Sequence, residues 1–317
     1  MSCLGLLQPF PPLESVGFGV FWTVMGLFVG SFLNVCIHRF PVEGASVWSP
    51  SRSHCPACDR QLGWRENLPV LSWVLQRGRC KGCAAPIHWR YPLVELIGAA
   101  GFFIAWRAAA ADGWSFLLLD SVVLAALIVA TFVDFERYEI PDQVSIGGMW
   151  AAPVVSFLLP ALHGSGLVAG ALAPDGTVDG VASLAECLAG MAAGGGVLYG
   201  LGWIGKRASG ADAMGFGDVK LMAAGGGLIG VEGTFFALQV AVFTGSLFGI
   251  LNILRWYLVV RARQRRRPLS SRGSSQALRT ARVLGRYLPF GPYLALGIGI
   301  VLLDWKDVLD LLPFGLG

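Results

Sequence analysis

The sequence predicts an all-α polytopic membrane protein of about eight transmembrane helices, with one small four-cysteine loop on its cytoplasmic side. Three observations carry that prediction. The 317 residues are 55% hydrophobic and only 14% charged, with a mean hydropathy of +0.62, too apolar for an ordinary soluble domain. The apolar residues fall into runs near 16–37, 92–111, 114–133, 143–162, 181–204, 219–231, 234–259 and 289–304, and a spanning helix needs about 20 such residues. If these runs cross in alternation, all but two of the 24 Lys and Arg lie on one side, the exceptions being Arg107 and Lys306. The positive-inside rule then places the basic loops in the cytoplasm and both termini outside.

Taken in order, residues 1–37 form an outside N-terminus and the first span. No Lys or Arg precedes that span and its apolar run exceeds a signal-peptide core, so it stays as an anchor. Residues 38–91 are the only sizeable polar segment. They hold four of the seven cysteines, as CPAC at 55–58 and CKGC at 80–83. Two C-x2-C knuckles offer the tetrahedral four-sulfur shell that zinc prefers, and the reducing cytoplasm disfavours disulfides. A closed four-cysteine shell leaves no open coordination position, so such a metal staples the loop and performs no chemistry. Cys3, Cys36 and Cys187 are isolated and read as buried or interfacial thiols.

The remaining runs, 92–317, form the membrane core. Its outside loop HGSGLVAGALAPDGTVDG reads as a spacer, and the sequence has no periodic internal repeat. The cytoplasmic loop 260–288 is rich in Arg and Ser. It reads as a solvated connection drawn to anionic lipid headgroups, and the lack of interleaved aromatics argues against nucleic acid.

Chemistry points to two acids. The third span ends LIVATFVDFERYEIPD and sets Asp134 at the cytoplasmic edge, while GFGDVKLMAAGGGLIG opens the sixth span with Asp218 on the same side. Charge at membrane depth is expensive and by default functional. Small residues in MAAGGGLIG let helices approach closely, and Gly215 and Gly217 are expected to aim Asp218 inward from a non-helical turn. Spacing alone leaves alternatives. An acid in this position also serves as a helix cap, and Glu136, Glu139 and Asp142 compete with Asp134 in the same turn. A proton-coupled transporter using Glu95 and Asp120, or a membrane-tethered zinc-ribbon binding module, fits the same residues.

At these positions the chain resembles the type IV prepilin peptidases, membrane aspartic proteases of the G-x-G-D class. The matching stretches are GSFLNVCIHR at 30–39, the two cysteine pairs followed by YPLVE at 91–95, the D-x6-P-D pattern from Asp134 to Asp142, and GFGDVKL at 215–221. The resemblance implies Asp134 and Asp218 as the catalytic pair, zinc on Cys55, Cys58, Cys80 and Cys83, and prepilin or pseudopilin substrates cut at the cytoplasmic face of a bacterial inner membrane. It also implies N-methylation of the new N-terminus with S-adenosylmethionine as donor, for which no residue is assigned. Many relatives carry a second Asp two places after the first; here Glu136 stands there in a supporting role.

Overall fold

The computed structural model describes residues 13, 15–49, 53–109, 112–164, 166–173, 175–210, 214–266 and 289–311. Cys3 and the basic loop beyond 266 lie outside the described residues. Among the described residues the fold is helical with no strand, only three isolated bridges. In chain order the helices are α1 (Val16–Arg39), α2 (Leu71–Leu75), α3 (Arg90–Ala108), α4 (Trp114–Arg137), α5 (Asp142–Leu158), α6 (Leu167–Leu172), α7 (Gly180–Ser209), α8 (Phe216–Arg266) and α9 (Gly291–Leu311).

Local chemistry sets their ends. Ser15 caps α1 by accepting the Phe18 N–H, and Asp179 caps α7 by accepting from Val181 and Ala182. Helix α7 stops at Gly210 and α4 at Tyr138, both left-handed. By length and apolarity four helices can cross a membrane: Val16–Arg39, Trp114–Arg137, Gly180–Ala208 and Phe216–Ala262, with a shorter apolar helix at Gly291–Leu303. The expected second and fourth spans are also helical, but α3 has 19 residues and α5 only 17. Large apolar side chains such as Phe28, Trp150, Phe243 and Phe248 point outward and exposed, as a membrane protein requires of its lipid-facing surface.

Helix α8 is not one rod. Gly230 has φ 70 and ψ −176, a conformation essentially reserved to glycine, and the chain doubles back there. Ile298 of α9 meets Gly225, while the adjacent Gly297 lies against Ala237, so residues on either side of Gly230 stand at one level. Gly226 likewise approaches the Thr234 side chain, and eight residues of straight helix would separate those two by about 12 Å. The two halves of α8 are therefore an antiparallel hairpin with almost no loop.

Glu186 of α7, fully buried, holds that hairpin. Its Oε1 accepts the Val231 N–H at 2.7 Å, and its Oε2 accepts Val168 at 2.6 Å and Ala169 at 3.1 Å. One carboxylate thus satisfies the first N–H groups of two helices, donors that no helix can satisfy internally. The segment 163–180, expected to be a spacer, is instead docked. Helix α6 sits on Glu186, and His163 is buried with its Nδ1 2.9 Å from Ser183 Oγ.

Packing relies on missing side chains. A Cβ on Gly190 would stand 2.1 Å from the Gly226 carbonyl oxygen, and one on Gly194 would stand 2.5 Å from that of Met222. Helix α7 and the first half of α8 therefore touch backbone to backbone. Gly26 and Gly98 bring α1 and α3 together in the same way. The main core joins α4, α7, α8 and α9 around Leu294 and Ile298, both fully buried.

Candidate active site

Asp134 lies one turn before the end of α4, and Asp218 in the first turn of α8. Both are buried, at 5% and 9% exposure, and their charges are within electrostatic reach of each other. Their helices barely pack together. Helix α9 packs along both, and its first residues complete the site. The Gly291 N–H, a free donor at the start of α9, gives a hydrogen bond to Asp134 Oδ2 at 2.9 Å. Ile140 stands beside both elements, since a Cβ added at Gly217 would lie 3.2 Å from its Cβ and one added at Gly291 would lie 3.1 Å from its Cδ1.

This arrangement differs from the expectation in two ways. The small residues of MAAGGGLIG do bring backbones together, but against α7 rather than α4. Gly215 and Gly217 do not supply unusual backbone angles. Neither has a positive φ, and Asp218 is helical. Their value is smallness: a Cβ on Gly217 would press Ile140 at 3.2 Å, and one on Gly215 would reach Asp218 Oδ2 at 3.4 Å.

The competing acids of the 134–142 turn separate cleanly. Glu136 is exposed and ion-paired with Arg90 at the start of α3. Asp142 is exposed and ion-paired with Lys220, two residues past Asp218. Glu139 is exposed. Only Asp134 is turned inward. The two ion pairs tie the turn to α3 on one side and to α8 on the other. Glu95 and Asp120 form no chain with them. Glu95 Oε2 accepts the Val70 N–H at 2.7 Å, and Asp120 lies about 21 Å up α4 from Asp134.

The sequence reading missed Gly291, Ile140 and Glu186. For Gly291 a signal existed, since a Gly-Pro pair at 291–292 opening an apolar run marks a helix start with an accessible backbone.

In the loop 38–91 two matching knuckles face each other. Each closes through a backbone hydrogen bond from the residue after its second cysteine back to the first, Asp59 to Cys55 at 2.8 Å and Ala84 to Cys80 at 2.9 Å. Both of those residues are left-handed, with φ 53 and 56. The sulfurs of Cys55, Cys58, Cys80 and Cys83 lie within 4.8 Å of one another, with Cys55 and Cys83 3.8 Å apart. Sulfurs about 2.3 Å from one tetrahedral ion are separated by about 3.8 Å, so this group could hold a metal. Backbone N–H groups of Cys83 and Gly82 pull the Cys80 thiol down to about 6, which favours the thiolate a metal needs. Cys36 and Cys187 are buried free thiols.

Comparison with known proteins agrees along the chain. Residues 24–108 match the family model described as Bacterial Peptidase A24 N-terminal domain, and residues 121–250 match Type IV leader peptidase family. A prepilin leader peptidase/N-methyltransferase of Aeromonas hydrophila is 34% identical over 308 residues, covering 90% of this chain and 89% of the relative. A protein of the same description from Myxococcus xanthus (strain DK1622) is 35% identical over 238 residues, covering 75% of this chain and 64% of the relative. A type 4 prepilin-like proteins leader peptide-processing enzyme of Escherichia coli O78:H11 is 32% identical over 291 residues, covering 87% and 90%. No solved structure matches. The chain belongs to the prepilin leader peptidase/N-methyltransferase family.

Proposed function

We propose that this chain is an aspartic endopeptidase that removes the basic leader from type IV prepilins or pseudopilins, and then methylates the new N-terminus. The observation that carries the reading is the isolation of Asp134 and Asp218 as two buried acids sharing one site, while every other acid of the 134–142 turn is exposed.

Two carboxyls so placed cannot both ionise cheaply, so one proton is shared between them. The ionised member takes a proton from a water held between the pair, and the water oxygen attacks the scissile carbonyl carbon. The protonated member donates to the carbonyl oxygen. Collapse breaks the C–N bond, and the leaving amine departs with a proton returned from the pair. The Gly291 N–H on Asp134 Oδ2 leaves Oδ1 free to accept from that water.

In this reading the chain crosses eight times, α8 being counted as two, and the segregation of Lys and Arg favours the cytoplasmic face of a bacterial inner membrane for loop 38–91, the acids and the basic segment 260–288. The same reading divides the chain into a first helix to 37, the cysteine loop 38–91 and a peptidase core 92–317. Zinc on Cys55, Cys58, Cys80 and Cys83 would staple the loop. S-adenosylmethionine would supply the methyl group, as the relatives' names imply; no residue of the chain is assigned to it.

The test is mass spectrometry of a prepilin incubated with the purified chain and S-adenosylmethionine. Loss of the leader with gain of one methyl group is expected. An intact precursor under conditions where the enzyme is folded would overturn the reading.

A further inference from the structure

The cysteine loop presents an apolar surface that its own fold does not cover. Leu71, Val74 and Leu75 occupy one face of α2 and are 53%, 58% and 71% exposed. Trp64 is also exposed. With Leu68 and Leu75 it lines a groove of about 270 Å³ that Arg65, its guanidinium over the Trp64 ring, and Lys81 also line. The nearby acid, Glu66, is spent on Arg60 at 2.8 Å, and the segment 38–91 holds eight Lys or Arg against three Asp or Glu.

Two contacts fix the depth at which this surface lies. Val70, the residue before α2, donates its N–H to Glu95, five residues into α3, a rise of about 7.5 Å from the helix start. The exposed Trp48 ring lies 6.2 Å from that of Phe32, which is seven residues inside the end of α1. The loop therefore reaches back alongside the helices instead of hanging clear of them. Tryptophan, leucine and basic side chains at that depth match the boundary between acyl chains and headgroups.

We propose that α2 and the Trp64 groove dock on the membrane itself, with Leu71, Val74 and Leu75 among the acyl chains and Arg65 and Lys81 on the phosphate of an anionic phospholipid. Charge decides between occupants: a groove lined by two cations attracts an anionic headgroup and repels a basic peptide. The inference rests on the topology proposed above only for which leaflet is met.

Hydrogen exchange of the full chain in nanodiscs tests it, comparing phosphatidylcholine alone with phosphatidylcholine plus phosphatidylglycerol. Both faces of a nanodisc carry the same lipid and the readout is not cleavage, so failure here is distinct from failure of the peptidase reading. Amides of residues 68–79 are expected to exchange about tenfold more slowly in the anionic discs. Raising the salt should remove that difference. Arg65→Glu with Lys81→Glu should abolish the dependence on composition, and Leu71→Gln with Leu75→Gln should abolish protection in both discs, with exchange in 216–230 unchanged as the control for folding. If a variant fails that control, the wild-type composition and salt dependence decides alone. Equal exchange in the two lipids would overturn the proposal, as would protection that arises only when a prepilin is added, which would assign the surface to a polypeptide.

Discussion

Replacing Gly291 with alanine probes how tightly Asp134 is held. The added Cβ would stand 2.6 Å from Asp134 Oδ2 and 3.1 Å from Ile140 Cδ1. Ordinary van der Waals contact begins near 3.4 Å, so the carboxylate must retreat by about 0.8 Å or α9 must shift by as much. A displacement of about 1 Å at a reacting group costs on the order of 100-fold in rate, and overpacking costs about 1–3 kcal/mol of stability. The expected result is a fall in kcat of about 10- to 100-fold, with KM nearly unchanged, because the substrate surface is not altered. The assay is cleavage of a purified prepilin in detergent under steady-state conditions, with thermal unfolding measured on the same samples. A Gly291→Ala enzyme with wild-type kcat and wild-type unfolding would refute the claim that the start of α9 positions Asp134.

Other outcomes follow from the same geometry. Glu186→Ala leaves the N–H groups of Val168, Ala169 and Val231 without their acceptor, and at about 1–3 kcal/mol for each buried orphan its unfolding temperature should drop severely. Glu186→Gln, which keeps one acceptor oxygen, should lose less; equal stability of both variants to wild type would contradict the capping role. Gly190→Ala sets a Cβ against the Gly226 carbonyl and should impair folding, whereas Gly196→Ala, with nothing within 4 Å, should be neutral or stabilising by up to about 1 kcal/mol. Similar expression and unfolding of the two would argue against backbone contact between α7 and α8. Metal content, measured by elemental analysis after dialysis, should be retained at neutral pH and fall on acidification, since protons compete with the ion for the four thiolates. No metal at neutral pH, or metal content unchanged when Cys55 and Cys80 are replaced by serine, would contradict the four-sulfur site.

What the sequence could announce was whatever depends on local composition. Apolar runs mark the helices, and two C-x2-C pairs mark four cysteines whose sulfurs the fold brings within 4.8 Å of one another. Asp134 and Asp218 stood out as acids at apolar edges. Spacing left the choice among Asp134, Glu136, Glu139 and Asp142 open and only the family resemblance made it, since it depends on which side of α4 faces α9 and on ion pairs with Arg90 and Lys220, residues 46 and 78 positions away from their partners. Gly230 was equally hidden. In a run of small residues one more glycine carries no mark, and only the cap from Glu186, 45 positions earlier, makes the reversal there stable. Gly215 and Gly217 were visible, but for a reason that proved wrong: neither has an unusual backbone angle, and what a Cβ would meet is Ile140 at Gly217 and the Asp218 carboxylate at Gly215.

The central claim is that Asp134 and Asp218 act as one unit, and single-turnover cleavage by Asp134→Asn, Asp218→Asn and the double variant tests it most directly. Groups that act as a unit are strongly non-additive. Each single variant, folded as judged by unfolding and metal content, should lose at least about 1000-fold in rate, and the double variant should be no slower than either. A single variant that keeps a tenth or more of the wild-type rate, or losses that multiply in the double variant, would contradict the account.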